Sequence, residues 1–94
     1  MKLSGGSLSL VKNTCVLFFG QLAETFGRFV EVDLPEDGCT IAELRRRLGE
    51  GDPLRAEVLD RVGVRASVEQ QVVREDTRIQ PGQEIAFFPI VSGG

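Results

Sequence analysis

One ten-residue stretch, TIAELRRRLG at positions 40–49, constrains the fold more than any other. Thr40 and Glu43 stand three apart and predict a capping box, in which each side chain satisfies a backbone N–H at the start of a helix. Ile41, Leu44 and Leu48 recur at three- and four-residue spacing and so line one apolar stripe. Arg45, Arg46 and Arg47 are expected on the other, solvated side, near the negative end of the helix dipole. A single stripe of this kind must be buried against another element. The sequence on both sides of it supplies strands.

TCVLFFG, positions 14–20, is β-rich, ends at glycine and reads as a buried strand. In QLAETFG, Leu22 and Phe26 are four apart, which suits a short helix closed by Gly27. RFVEVDL places Val30, Val32 and Leu34 on one face of a second strand, and PEDG follows as a turn. Beyond the main helix, Gly49, Gly51 and Pro53 interrupt the pattern, and PLRAEVLDRVG predicts a short helix with proline in its first turn. RASVEQQVV predicts two short strands joined by a tight turn at Glu69–Gln70. REDTRIQPGQ reads as a polar connection, with Pro81–Gly82 at the centre of a type II turn. EIAFFPIV is the last strand, ended by Pro89, which has no N–H to give a sheet ladder.

The expected organisation is a flexible Ser/Gly-rich leader at 1–13, one domain at 14–90 and a mobile tail at 91–94. Ninety-four residues leave no room for a second domain. The order of elements predicts an α+β roll, a mixed sheet with one main helix on one face, and the β-grasp is the small fold that fits it.

Two pairs of adjacent phenylalanines sharpen this picture. Neighbouring strand residues point to opposite faces, so Phe18 and Phe19 cannot both lie under the helix, and neither can Phe87 and Phe88. With Val16, Phe18, Ile85 and Phe87 turned to the helix, Phe19 and Phe88 face away. In a β-grasp the first and last strands are parallel central neighbours, so these two rings are expected side by side, forming an exposed apolar patch at the root of the tail. Such patches mark interfaces.

Charge and composition exclude several functions. A formal net charge of −3 argues against a nucleic-acid ligand. No apolar run approaches the roughly 18–20 residues of a membrane span. The chain has no histidine, so His-activated serine or cysteine nucleophiles and histidine metal sites are impossible within it. Glu36–Asp37 and Glu75–Asp76 are adjacent acids in expected turns, where a solvated role outweighs a catalytic one. Cys15 and Cys39 form neither a CxxC pair nor a zinc quartet, and are expected as free thiols of a reducing cytoplasm. Cys39 precedes a helix, a place where thiol pKa values can fall. No phosphate-binding glycine loop is present.

Three segments, VLFFGQLAE, TIAELRRRL and PGQEIAFFPIVSGG, carry a family pattern. Over residues 14–94 the chain resembles the MoaD family of ubiquitin-like sulfur carriers, the small subunits of molybdopterin synthase. It departs from that pattern at Ile90, where a second proline is more usual, at Glu69, where asparagine is usual in the hairpin turn, and in its longer leader. The resemblance implies a chain that is not catalytic alone but is the sulfur-donor subunit of a sulfurtransferase complex. It implies that the carboxylate of Gly94, reached through Gly93, is adenylated and converted to a thiocarboxylate. The ATP would be used by a ubiquitin-activating-type adenylyltransferase, with no cofactor held by this chain. The sulfur would pass to a cyclic pyranopterin phosphate inside the large synthase subunit, in a complex of two small subunits on a large-subunit dimer. Phe19, Val72 and Phe88 match an apolar docking surface, with Pro89, Ile90 and Val91 continuing it into the tail. Two alternatives share the Gly-Gly end: a sulfur carrier for thiamine thiazole synthesis, and a ubiquitin-like modifier joined to lysines.

Overall fold

The computed structural model describes residues 13–61 and 63–90. Strand β1 (Thr14–Phe18) leads into helix α1 (Leu22–Phe26) and returns as β2 (Phe29–Val32). A short strand β3 (Cys39–Thr40) opens directly into the main helix α2 (Ile41–Gly49), followed by α3 (Pro53–Leu59). Strands β4 (Val64–Val68), β5 (Gln71–Val73), β6 (Arg78–Ile79) and β7 (Ile85–Pro89) complete the order. Five of these strands form a mixed sheet in the order β2-β1-β7-β4-β5, while β3 and β6 pair as a separate two-stranded ladder. β1 and β7 are parallel central neighbours, with Val16 opposite Ile85 and Phe18 opposite Phe87. Every other pairing is antiparallel. This is the expected β-grasp.

The helices cover one face of the sheet. Ile41, Leu44 and Leu48 of α2 are buried with Val16, Phe18, Ala66, Val68, Ile85 and Phe87 of the sheet. Phe18 stacks on Phe26 of α1 at 4.2 Å between ring centroids and on Phe87 at 6.0 Å. Leu22 and Phe26 both point inward, and Gly27 ends α1 with its N–H on the Ala23 carbonyl. Helices α2 and α3 approach so closely at Gly49 that a Cβ there would lie 2.7 Å from Cα of Ala56, a contact no larger residue can make.

The capping box is present as expected: Glu43 N–H donates to Thr40 Oγ1 at 3.1 Å, and Thr40 N–H to Glu43 Oε1 at 2.8 Å. The Thr40 hydrogen bonds hold the Glu43 carboxyl below its ordinary pKa, because they favour its charged form. Two further N–H groups of the first turn, on Ile41 and Ala42, donate to the carbonyls of Thr77 and Glu75. The connection at 74–79 therefore caps α2 as well as supplying β6. A two-residue strand has no alternation to read, so the polar connection expected there hid the β3–β6 ladder. Helix α3 starts on Asp52, whose carboxylate accepts from the N–H groups of Leu54 and Arg55. The hairpin turn lies at Glu69 (φ 50°) and Gln70 (φ 70°), both left-handed, as a two-residue turn of type I′ requires.

The arginine triplet is split. Arg46 and Arg47 are exposed, but the Arg45 side chain is only 12% exposed and reaches the Phe87 ring of the central strand β7. Arg45 lies one helical turn beyond Ile41, at the border of the apolar stripe, so its stem is buried and its guanidinium finds partners. One of them is Glu75, which is therefore not the purely solvated turn acid expected.

Candidate functional site

The sheet face opposite the helices has no element of the described residues over it. Its register places Phe29, Leu17, Ala86, Ser67 and Val72 side by side across all five strands. One step towards the C-terminal end of β7, Phe88 lies opposite Arg65. Phe19 continues β1 just past its end, its N–H bonded to the Phe87 carbonyl at 3.1 Å. Phe19 is 52% exposed, Phe29 53%, Val72 58% and Ile90 49%. Phe88 and Pro89 are half-buried. Exposed apolar side chains gathered on one face are what an association surface requires, since their burial releases ordered water.

Phe19 and Phe88 do fall on the outer face, while Phe18 and Phe87 are buried beneath the helices. The outer two are register neighbours, yet no stacked ring pair joins them among the described residues. Leu17 and Phe29 belong to the same face and were within reach of the alternation argument: Leu17 sits between Val16 and Phe18, and Phe29 sits before Val30. Arg65 puts a cation among these apolar neighbours, and its place between the buried Val64 and Ala66 was within reach of the same argument.

The root of the tail is fixed by backbone. Ile90 N–H donates to the Gly63 carbonyl at 2.6 Å. Pro89 packs on Gly20, where a Cβ would stand 2.9 Å from the proline Cγ, and Gly20 itself has φ +60°. Both conditions favour glycine at that turn. The chain thus leaves the centre of the sheet at a held position, beside the exposed aromatic face. Val91, Gly93 and Gly94 lie outside the described residues.

Cys15 is exposed on the same outer face, two residues before Leu17 and opposite Glu31, away from the root of the tail. Cys39 is buried elsewhere, and the two thiols are not bonded to each other. Cys39 contributes to a cleft of about 520 Å³ together with Glu43, Arg46, Arg47 and Arg78. Burial pushes the Cys39 thiol up, against the pull of Arg47, so the helix start does not activate it. Among the described residues, no three His, Cys, Asp or Glu side chains are grouped to hold a metal, and no helix is long and apolar enough to cross a membrane.

The sequence profile of the ThiS family matches residues 16–94. The chain is 32% identical over 79 residues to the molybdopterin synthase sulfur carrier subunit of Haemophilus influenzae, covering 84% of this chain and 96% of the relative. It is 34% identical to the protein of the same name from Escherichia coli, with the same coverage. In three dimensions it matches SAMP1 from Haloferax volcanii with a TM-score of 0.71 at 24% identity, over 86% of this chain and 98% of that one. It also matches a protein of Pyrococcus furiosus assigned as molybdopterin converting factor, subunit 1, with a TM-score of 0.66 at 21% identity, over 83% and 97% of the two chains. At such identities these structures speak to the fold, and the profile and the two bacterial relatives speak to descent: the chain belongs to the ThiS/MoaD family of sulfur carriers.

Proposed function

We propose that this chain is the sulfur-carrier subunit of a molybdopterin synthase and that the α-carboxyl group of Gly94 bears the sulfur. The observation that carries this reading is the placement of the tail root. β7 runs through the middle of the sheet and delivers Phe88, Pro89 and Ile90 to the edge of an uncovered apolar face. The two bacterial relatives, matched over nearly their whole length, support it.

In this reading an adenylyltransferase joins the Gly94 carboxylate to AMP from ATP, releasing pyrophosphate. A sulfur nucleophile then attacks the acyl carbon and expels AMP, leaving a thiocarboxylate. The large synthase subunit docks on Phe19, Val72 and Phe88, takes in the segment from Pro89 to Gly94, and passes the sulfur to a pyranopterin. The thiocarboxylate sulfur bonds to the pterin first, and one water then attacks the acyl carbon of that thioester, leaving the sulfur on the pterin and regenerating the carboxylate. The partners supply the acid–base groups, so the lack of histidine is no obstacle. Gly93 and Gly94 carry no Cβ and fit a narrow channel, and enclosure keeps water from the thioacid.

The decisive experiment adds one residue after Gly94. Sulfur transfer should be abolished with the melting temperature unchanged, because the extension turns the reacting carbonyl into an amide. It also displaces the new carboxylate by about 3.3 Å, whereas attack needs atoms within roughly 3–3.5 Å. Pterin product formation with pre-thiolated carrier and purified large subunit reads the outcome. Full activity from an extended, unprocessed chain would show that the terminus is not the chemical site. Intact mass after incubation with activating enzyme, ATP and a sulfur source separates a thiocarboxylate carrier from a module without tail chemistry. A lysine-linked ladder that vanishes on deletion of Gly94 would favour the modifier alternative. Co-purification with a thiazole synthase rather than a pterin synthase would favour the thiamine one.

A further inference from the structure

Among the described residues Arg45 is the most heavily hydrogen-bonded side chain, and two of its partners lie at the two ends of one loop. Its Nη1 donates to the Leu59 carbonyl, where α3 ends. Its Nη2 donates to the Val64 carbonyl at 2.6 Å, where β4 begins. Its Nε and Nη2 bind the two carboxylate oxygens of Glu75 at 2.7 and 2.9 Å. The guanidinium also lies 5.2 Å from the centre of the Phe87 ring, inside the strand that carries the tail. A planar fork with five N–H donors can meet all of these at once, which an ammonium cannot.

The loop between Leu59 and Val64 contains Gly63, and the Gly63 carbonyl accepts the Ile90 N–H. Val64 stands opposite Pro89 in the β4–β7 pairing. A chain of direct contacts therefore runs from Arg45 through the ends of this loop to Ile90, the last described residue before the tail. We propose that Arg45 is a positioning residue for the root of the tail: by holding the Leu59 and Val64 carbonyls on either side of Gly63, it sets the place of Ile90, from which the tail departs. This rests on the sulfur-carrier reading for its consequence, although the clamp itself is independent of it. Only four residues separate Ile90 from the reacting carbonyl, so once the tail is held in the large subunit the position of its root bears on where that carbonyl lies, and a displacement of about 1 Å can cost about a hundredfold in rate. Arg45 touches no reacting atom in this scheme and acts through Gly63 and Ile90.

The test compares the full chain with Arg45→Lys and Glu75→Gln. Lysine keeps the charge over Phe87 but cannot span both carbonyls and Glu75. Glutamine weakens the network from its exposed end without emptying the core. Amide hydrogen exchange, read by NMR, should quicken about tenfold at Ile90 in Arg45→Lys, the size expected for loss of charge-assisted hydrogen bonds. The β7 amides of Ile85 and Phe87 should hold their protection, and Glu75→Gln should shift Ile90 alone in the same direction by less. With pre-thiolated carrier, the single-turnover rate inside saturating large subunit should fall while the affinity for that subunit stays as in the parent. Unchanged Ile90 protection in both variants overturns the proposal. So does a joint loss at Ile90, Ile85 and Phe87, which would make Arg45 a stabilising residue only. Failure of the unaltered chain to transfer sulfur would remove the sulfur-carrier reading and leave the exchange result standing.

Discussion

Phe87 and Phe88 are neighbours of the same residue type on the same central strand, and they do opposite things. Phe87 is fully buried between Phe18 and the Arg45 guanidinium. Phe88 turns to the other side, opposite Arg65 and half open to water. The same division separates Phe18 from Phe19. One face of the sheet buries its apolar surface to hold the domain together, and the other leaves its apolar surface open to solvent. A two-residue repeat in the backbone is enough to separate the two tasks. The comparison teaches that a hydrophobic run at the end of a small chain need not be core.

Three measurements can break this division, the largest effect first. Phe87→Ala should cost about 3–5 kcal/mol in denaturant unfolding, the usual range for emptying a buried aromatic site. A small domain has roughly 5–15 kcal/mol to lose, so little cooperative structure should survive mild denaturant. A loss below about 1 kcal/mol would mean that the inner face is not the core. Phe88→Ala should weaken binding of the large subunit by about 2 kcal/mol, as for an aromatic hot spot, while unfolding far less of the domain than its neighbour. Collapse of the fold, with normal binding by whatever remains folded, would reverse the face assignment. The mildest probe is alkylation of the two thiols. Cys15 should react at once and Cys39 only on opening of the structure, without any change in the melting temperature before labelling. Because burial raises the Cys39 pKa, the folded state holds that proton more tightly than the unfolded chain does. The resulting stabilisation is complete below the ordinary thiol pKa and is lost as pH rises through the folded value. Cys39→Ala should remove that alkaline sensitivity, and equal labelling of both thiols would refute the burial argument.

The face division was legible in the sequence because it follows from alternation, and alternation survives in runs of five residues such as β1 and β7. The start of α2 was legible because Thr40 and Glu43 are a local pair needing no knowledge of the rest of the chain. What escaped depends on distant partners. β3 and β6 are two residues each, and their pairing of Cys39 with Ile79 is visible only once the chain has folded back. Arg45 looks like Arg46 and Arg47 in the sequence. Only the approach of the Leu59 and Val64 carbonyls and of Glu75 makes it an internal brace. The hold on Ile90 escaped for the same reason, since Gly63 gives no sign in the sequence of where its carbonyl points. Backbone clamps leave little trace in side-chain patterns.

The parallel pairing of β1 with β7 also governs how the domain can assemble. Val16 meets Ile85 across almost the whole domain, so the central contact of the sheet is among its most distant in the chain. The β1–β2 and β4–β5 hairpins can close locally, but neither has its central partner until the last strand arrives. Loop closure must be met before that contact returns any energy, and folds dominated by such pairings are slow. The strand that presents the tail is thus also the one that locks the sheet. A chain shortened into β7 would lose the strand that pairs with both hairpins, and with it the centre of the sheet.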